Sequence, residues 1–372
     1  MDSTALDEVV ADVVAPGAEA IDASAEFPRK SIEALRGIGV LGLTTSVSHG
    51  GGGGSMADAA LVVEKLAAAC GSTAMVTLMH YAANALVEAH GPDATREAIG
   101  RGDHLTTLAF SEVGSRSHFW VPQGTATAVG ESIRLDARKS WVTSAAAADS
   151  FVWSSRALDA DGPMSLWLVP AAAPGLELGA TFEGLGLRGN GSVPVTATNV
   201  LIGRDALLAD DGAGLDAALT AALPWFLVLS TAFAVGVMDA VLQEAGRFLG
   251  TTRLEHLDAA LIRQPIARAD YARMRVAADA TRAFLADTLG ALASGRDDAV
   301  LRVLESKVLA AESLLNVTDL GMKVCGGAAF RKELGIERRF RDARAMRVMA
   351  PTTDALLDFV GRAISGLPLF DA

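Results

Sequence analysis

From Ala217 to Met238 the chain carries no charged residue, over a stretch long enough to cross a bilayer. A helix that is apolar on every side needs apolar surroundings on every side. That leaves two settings, the hydrocarbon of a membrane or the centre of a large helical bundle. The flanks choose between them. Asp216 and Asp239 bracket the segment with no Lys or Arg at either end, contrary to the basic residues that orient membrane spans. Thr220, Pro224, Ser230 and Thr231 interrupt it. The reading is a buried bundle helix and no membrane span. Such a helix needs a large protein around it, and 372 residues at 51% apolar content provide one.

The rest of the chain changes texture twice. Up to about residue 105 it reads as helices. Phe27 to Leu35 opens one, with Pro28 near the first turn, where a missing N–H costs little. Met56–Cys70 and Met75–His90 have apolar residues at helical spacing. Between the first two lies Gly50 to Gly54, which alone reads as a flexible turn; no phosphate-loop signature G-x-x-x-x-G-K-(S/T) is present. From about Leu105 to Ile202, short segments rich in Val, Thr and aromatics alternate with Gly, Pro and Asp. Six of these read as strands of a small β-barrel or sandwich, namely 105–110, 124–129, 132–136, 150–156, 165–169 and 195–202. Beyond Asp210-Asp211-Gly212 long helical patterns return, over 217–249, 259–294, 297–324 and 353–364. The expected fold is α+β and mainly α. An N-terminal helical domain spans 1–105, a central β domain 106–212 and a C-terminal helical bundle, of four helices, 213–372.

Charge and cysteine content remove several functions. A net charge of −12 and a pI near 5.0 speak against nucleic acid, whose phosphates need a basic face. Cys70 and Cys325 stand in no metal-ligand spacing, so no metal site is expected, and two isolated thiols suit a cytoplasmic protein. The first twenty residues carry acids and no basic n-region, so no signal peptide is expected.

Local motifs then occur in a telling order. Leu41-Gly42-Leu43-Thr44 runs to His49-Gly50-Gly51, and Ser111-Glu112-Val113-Gly114 runs to Ser117-His118. Lys139-Ser140-Trp141-Val142-Thr143-Ser144, Leu185-Gly186-Leu187-Arg188-Gly189 and Lys323 to Gly327 follow. Glu337-Arg338-Arg339-Phe340-Arg341-Asp342-Ala343 comes last, ahead of Met349-Ala350-Pro351-Thr352. Together they resemble the acyl-CoA dehydrogenase superfamily over nearly the whole chain. The resemblance implies bound FAD, since a flavin needs a flat aromatic wall and hydrogen-bond donors at its reactive edge. By that resemblance Trp141 is the wall and Thr143 the hydroxyl near N5. Ser111 lies at the pyrimidine end and Ser117 at phosphate or ribose. Arg253, Gly326, Gly327 and Thr352 contact the dinucleotide, in part from a neighbouring subunit. It also implies a homodimer or homotetramer built through the C-terminal helices, and an electron-transfer partner or flavin reductase.

The departures gather at the reacting centre. The family's Y-E-G-T carries the Glu that removes the substrate α-proton, and here Ala350 stands in its place, followed by Pro351. The alternative carboxylate position on the first long C-terminal helix falls near Phe226, with Leu227 where the family Arg lies. Losing a general base costs about 10²–10⁴-fold. His80, on the helix that by the resemblance approaches the acyl pocket, is the candidate substitute, with His118 second, because histidine exchanges protons near neutral pH. Trp225, Phe226 and Leu227 are expected to form an apolar, water-excluding pocket wall. The expected activity is an FAD-dependent oxidoreductase of oxygenase type, on an acyl-thioester-derived or other apolar small molecule. CoA and carrier-protein thioesters are the candidate carriers. The alternatives are α,β-desaturation of an acyl thioester with a substitute base, and a non-catalytic partner subunit of a hetero-oligomeric dehydrogenase.

Overall fold

The computed structural model describes residues 3–115 and 118–370. Its first helices are α1 (Ser3–Val9), α2 (Ala15–Ser24), α3 (Arg29–Gly37), α4 (Met56–Ala69), α5 (Gly71–His90) and α6 (Asp93–Gly100). Helix α4 starts on a capping box. Ser55 Oγ accepts from the Asp58 N–H, and the Asp58 carboxylate accepts from the Ser55 N–H at 2.8 Å. The five-glycine run before it is packed and hydrogen-bonded, contrary to the flexible turn expected. Gly52 N–H donates to Gly42 O, Gly53 N–H to Thr45 O and Gly54 N–H to Leu43 O. A Cβ on Gly51 would lie 2.2 Å from Thr45 O, so glycine is required there for close approach.

The strands are β1 (Thr106–Ala109), β2 (Thr125–Val129), β3 (Ser132–Val142), β4 (Ser150–Ser155), β5 (Ser165–Pro170), β6 (Leu176–Leu178), β7 (Val193–Gly203) and β8 (Leu207–Leu208). They make two four-stranded sheets, ordered β1-β4-β5-β8 and β2-β3-β7-β6. Strands β1 and β4 pair in parallel, whereas β3 runs antiparallel to β2 and β7. The two sheets share a core of Ile133, Leu135, Phe151, Trp153, Trp167, Val195 and Val200, which is a sandwich. Strand β6 has no sequence signature, because Leu-Glu-Leu is too short and too exposed to show alternation. Strand β3 continues past the expected Asp136 to Val142, which puts Trp141 at a strand end.

Helix α7 (Gly214–Ala217) passes through a π-helical turn, Ala218–Ala222, into α8 (Leu223–Thr251). A short hairpin of β9 (Arg253–Leu254) and β10 (Ala259–Ala260) follows. Then come α9 (Pro265–Ser294), α10 (Ala299–Cys325), α11 (Ile336–Val348) and α12 (Thr353–Ile364). The hairpin occupies residues that periodicity assigns to the start of the second long helix, so α9 begins at Pro265 rather than Ala259. Helix α8 packs against α4, α5, α9 and α10, and its most apolar window is 89% buried inside the protein. That placement explains a helix with no polar face. Leu227, Leu229, Phe233 and Val235 all enter one continuous core.

Candidate active site

The end of β3 is bent out of its sheet. The β3–β7 register slips between Lys139 and Val142, and Trp141 sits at φ +57°, a left-handed conformation that bulky residues rarely adopt. The bulge turns the indole outward and leaves it 59% exposed. Phe182, from the loop between β6 and β7, stacks on it with centroids 3.9 Å apart and 21° between planes. Sequence reasoning misses Phe182, because an aromatic on an irregular loop has no periodic signature.

Trp141 lines an open, mostly apolar cleft. Ser111 and Ser140 sit beside it, linked through the Ser140 N–H to Ser111 O at 2.8 Å. Phe110 and Phe119, stacked 6.2 Å apart, form a second side with Leu108 and Met79. The π-helical turn and the start of α8 supply Ala218, Ala222, Leu223 and Phe226, and Ala350 with Pro351 completes the lining. A π-turn adds a residue to the helical repeat and often marks a functional site. No titratable side chain lines the cleft among the described residues.

Of the expected wall Trp225–Phe226–Leu227, only Phe226 lines the cleft. Leu227 is fully buried in the bundle core and Trp225 packs against that core from outside. Successive helical residues point about 100° apart, so three in a row cannot share a wall.

His80 does not join the site. Its ring is fully buried, Nε2–H donates to Leu41 O at 2.9 Å, and Nδ1 accepts from the Thr106 N–H at 3.2 Å. Both nitrogens are occupied by backbone. Burial pushes its pKa down to about 4, so the ring is neutral near pH 7. It pins α5 to the loop after α3 and to β1, and it is not among the residues that line the cleft. His118 lies on the exposed side of its loop, with Nδ1 2.9 Å from Ser115 O and its ring edge-on to Trp120.

The remaining expected contacts divide. Thr143 is buried two residues beyond Trp141, its Oγ1 3.2 Å from Ser192 Oγ. Next to it Ser144, also in a left-handed conformation, has a buried hydroxyl with no hydrogen-bond partner among the described residues. Ser117 lies outside the described residues. Arg253 is exposed and bound to Asp258 through Nη2, away from this cleft. Gly326 adopts φ +54°, ψ −137°, a conformation strained for any other residue, and added side chains at Gly326 or Gly327 would meet open space. Thr352 caps α12, its Oγ1 accepting from the Ala355 N–H, which leaves its hydroxyl hydrogen free to donate. Lys323, in the place of the family Gln, pairs with Asp270 at 2.7 Å.

A buried ion pair holds the floor of this region. Glu112 and Lys139 meet at 2.6 Å with almost no exposed surface. Lys139 also donates to Ser154 O and Oγ, and Glu112 accepts from the backbone of Gln123 and Gly124. The pair ties the residue after Ser111 to the residue before Ser140.

An outward-turned indole and two serines around one apolar cleft fit a flat heteroaromatic with a polar edge. The class defined is a protein whose N- and C-terminal helices pack into one bundle beside a β-sandwich, with a cleft that suits a flat cofactor. Comparison carries this further. The acyl-CoA dehydrogenase N-terminal, middle and C-terminal domain descriptions match residues 3–101, 107–200 and 212–365. The chain belongs to the acyl-CoA dehydrogenase family, the flavin-dependent oxidoreductases that use FAD. It is 26% identical to the mitochondrial short-chain specific acyl-CoA dehydrogenase of Homo sapiens, over 91% of this chain and 83% of that protein. Butyryl-CoA dehydrogenase from Megasphaera elsdenii superposes with a TM-score of 0.91 at 19% identity, covering 97% of this chain and 96% of that one. A prolyl acyl carrier protein oxidase superposes with a TM-score of 0.88 at 18% identity, covering 98% and 99%. At such identities these two structures speak for the fold.

Proposed function

We propose that this chain is an FAD-dependent oxidoreductase of oxygenase type, acting on an apolar or acyl-thioester-derived small molecule. One observation carries the reading: a cleft lined by both Trp141 and Ala350, with no titratable side chain lining it among the described residues. When bound, FAD supplies hydride and oxygen chemistry. The residues of this chain do the rest. Trp141 offers the flat wall, Thr143 and Ser144 hydroxyls lie just beyond it, and Ser111 and Ser140 offer donors beside it. Phe110, Phe119, Leu108 and Phe226 exclude water, which favours oxygen transfer over leakage to peroxide. Abstraction of an α-proton finds no acceptor among the lining side chains.

A second reading has its own support. The human relative, aligned over nine-tenths of this chain, is a dehydrogenase. Desaturation of a CoA or carrier-protein thioester would then use a base from outside the lining, such as water or a substrate group. The fold match to a carrier-protein oxidase makes a carrier-bound substrate a fitting one to try.

A homodimer or homotetramer through the C-terminal helices is supported by exposed apolar side chains there, among them Ile266, Val300, Phe330 and Val348. A flavin reductase or an electron-transfer protein fits as redox partner. A cytoplasmic setting agrees with two free, buried cysteines.

The test is oxygen uptake by the chemically reduced, FAD-loaded protein with and without acyl-CoA and acyl-carrier thioesters. Uptake coupled to an oxygenated product supports the reading. Stoichiometric peroxide whatever is added, together with unsaturated product when an external electron acceptor is present, overturns it in favour of the dehydrogenase.

A further inference from the structure

Behind the wall made by Ala350 and Pro351 lies a buried amine. Lys307, on α10, has no exposed surface, and no carboxylate pairs with it among the described residues. Its Nζ donates to Met349 O at 2.8 Å and to Pro351 O at 2.7 Å, the carbonyls on either side of Ala350. The same nitrogen lies 5.6 Å from the centre of the Phe226 ring. Ala350, Pro351 and Phe226 all line the cleft. One side chain therefore joins α10, the turn after α11, and the ring that α8 presents.

The turn needs such a tether. Helix α11 ends at Val348 and α12 begins at Thr353, so the residues between belong to neither ladder. Met349 keeps an N–H bond back to Ala345 O and Thr352 caps α12, but Ala350 and Pro351 make no backbone–backbone bond among the described residues that would fix them. Burying an amine without a counter-ion is costly, and burial pushes Lys307 down to about 7. An apolar side chain of the same length would fill the space without that cost. What it would not do is bind two carbonyls at once.

We propose that Lys307 is a positioning residue of the cleft. Its paired hydrogen bonds hold Ala350 and Pro351 in the cleft lining and so govern which apolar groups the cleft admits. This rests on the reading of the cleft as the substrate site. A neutral amine keeps two N–H groups, so the tether holds in either protonation state.

The experiment uses the full chain as wild type, Lys307→Met, Lys307→Gln and Lys307→Arg. Amide exchange across residues 348–355 is measured in the FAD-free and FAD-loaded forms. Binding of butyryl-CoA and dodecanoyl-CoA to the FAD-loaded form is followed through the flavin spectrum. In Lys307→Met, exchange in that segment rises at least about tenfold while the β-sandwich keeps its protection, and the ratio of the two affinities moves toward unity. Lys307→Arg, which retains several donors, restores part of both; Lys307→Gln, shorter but with two N–H donors, falls between the Met and Arg variants. Wild-type exchange at 348–355 together with unchanged chain-length preference in Lys307→Met overturns the proposal. Should Lys307→Met not fold, Lys307→Gln decides by the same two readouts. If no acyl-CoA perturbs the wild-type flavin, the substrate-site reading falls, and the exchange data still decide whether Lys307 holds the turn.

Discussion

Glu112→Gln would leave a lysine buried without its counter-ion. Lys139 has no exposed surface and Glu112 almost none, with 2.6 Å between them. The substitution preserves shape and an acceptor for the Gly124 and Gln123 amides but removes the charge. Breaking one partner of a buried pair costs about 3–5 kcal/mol. An upper limit comes from proton release by the lysine. Burial already holds Lys139 down to about 8 beside Glu112, so release of its proton at pH 7 caps the charge contribution at about 1.4 kcal/mol, at 1.36 kcal/mol per unit. The expected loss at pH 7 is therefore about 1–1.5 kcal/mol, below the usual range for a broken buried pair. The direction with pH is set by the same proton. In the variant, the folded-state pKa of Lys139 lies below the unfolded one, so the unfolded chain binds more protons between the two values. Stability of Glu112→Gln should then rise with pH and approach wild type near pH 10. Urea unfolding at pH 7 and pH 10 measures this for both single variants and for Glu112→Gln combined with Lys139→Met. The double variant should recover most of the loss, since no charge is left unpaired. A loss under about 1 kcal/mol, a deficit independent of pH, or simple additivity would refute the reasoning. Because the pair braces Ser111 and Ser140, the single variant should also bind FAD more weakly.

The other predictions are shorter. His80→Asn should lower stability by about 1–3 kcal/mol through lost backbone bonds, yet leave the turnover of the folded protein within about threefold of wild type. Wild-type stability should also fall as pH drops from 6.5 to about 4, where the unfolded chain takes up a proton that buried His80 refuses, and the variant should show a flatter profile in a pH-dependent melt. Trp141→Ala should weaken FAD by about tenfold or more, measured by flavin fluorescence titration; unchanged affinity would remove the indole from the cofactor site.

Much of the architecture is legible in the sequence because hydrophobic period carries it. The uncharged run around Leu229 and Phe233 can only be a central helix, and α12 runs from Thr353 to Ile364 as its spacing predicts. Individual site residues are harder. Trp141 and Ala350 are readable from motifs, and both line the cleft. Trp225 and Leu227 fail as wall residues because adjacency in sequence is not adjacency in space on a helix. His80 misleads because a histidine near a pocket looks the same in sequence whether its nitrogens are free or bonded. Phe182 and Phe119 sit on irregular segments, where no period exists to reveal them. The tether from Lys307 to the Ala350 turn joins residues far apart in sequence, which only the packing of α10 against α12 and the turn brings together.

The most direct measurement compares wild type with Ala350→Glu, both FAD-loaded, mixed anaerobically with butyryl-CoA while the flavin absorbance is followed. A scaffold intact except for its proton acceptor should bleach at least about 10²-fold faster once the carboxylate is supplied. Wild-type protein that bleaches as fast as the variant would show that another group already takes the proton.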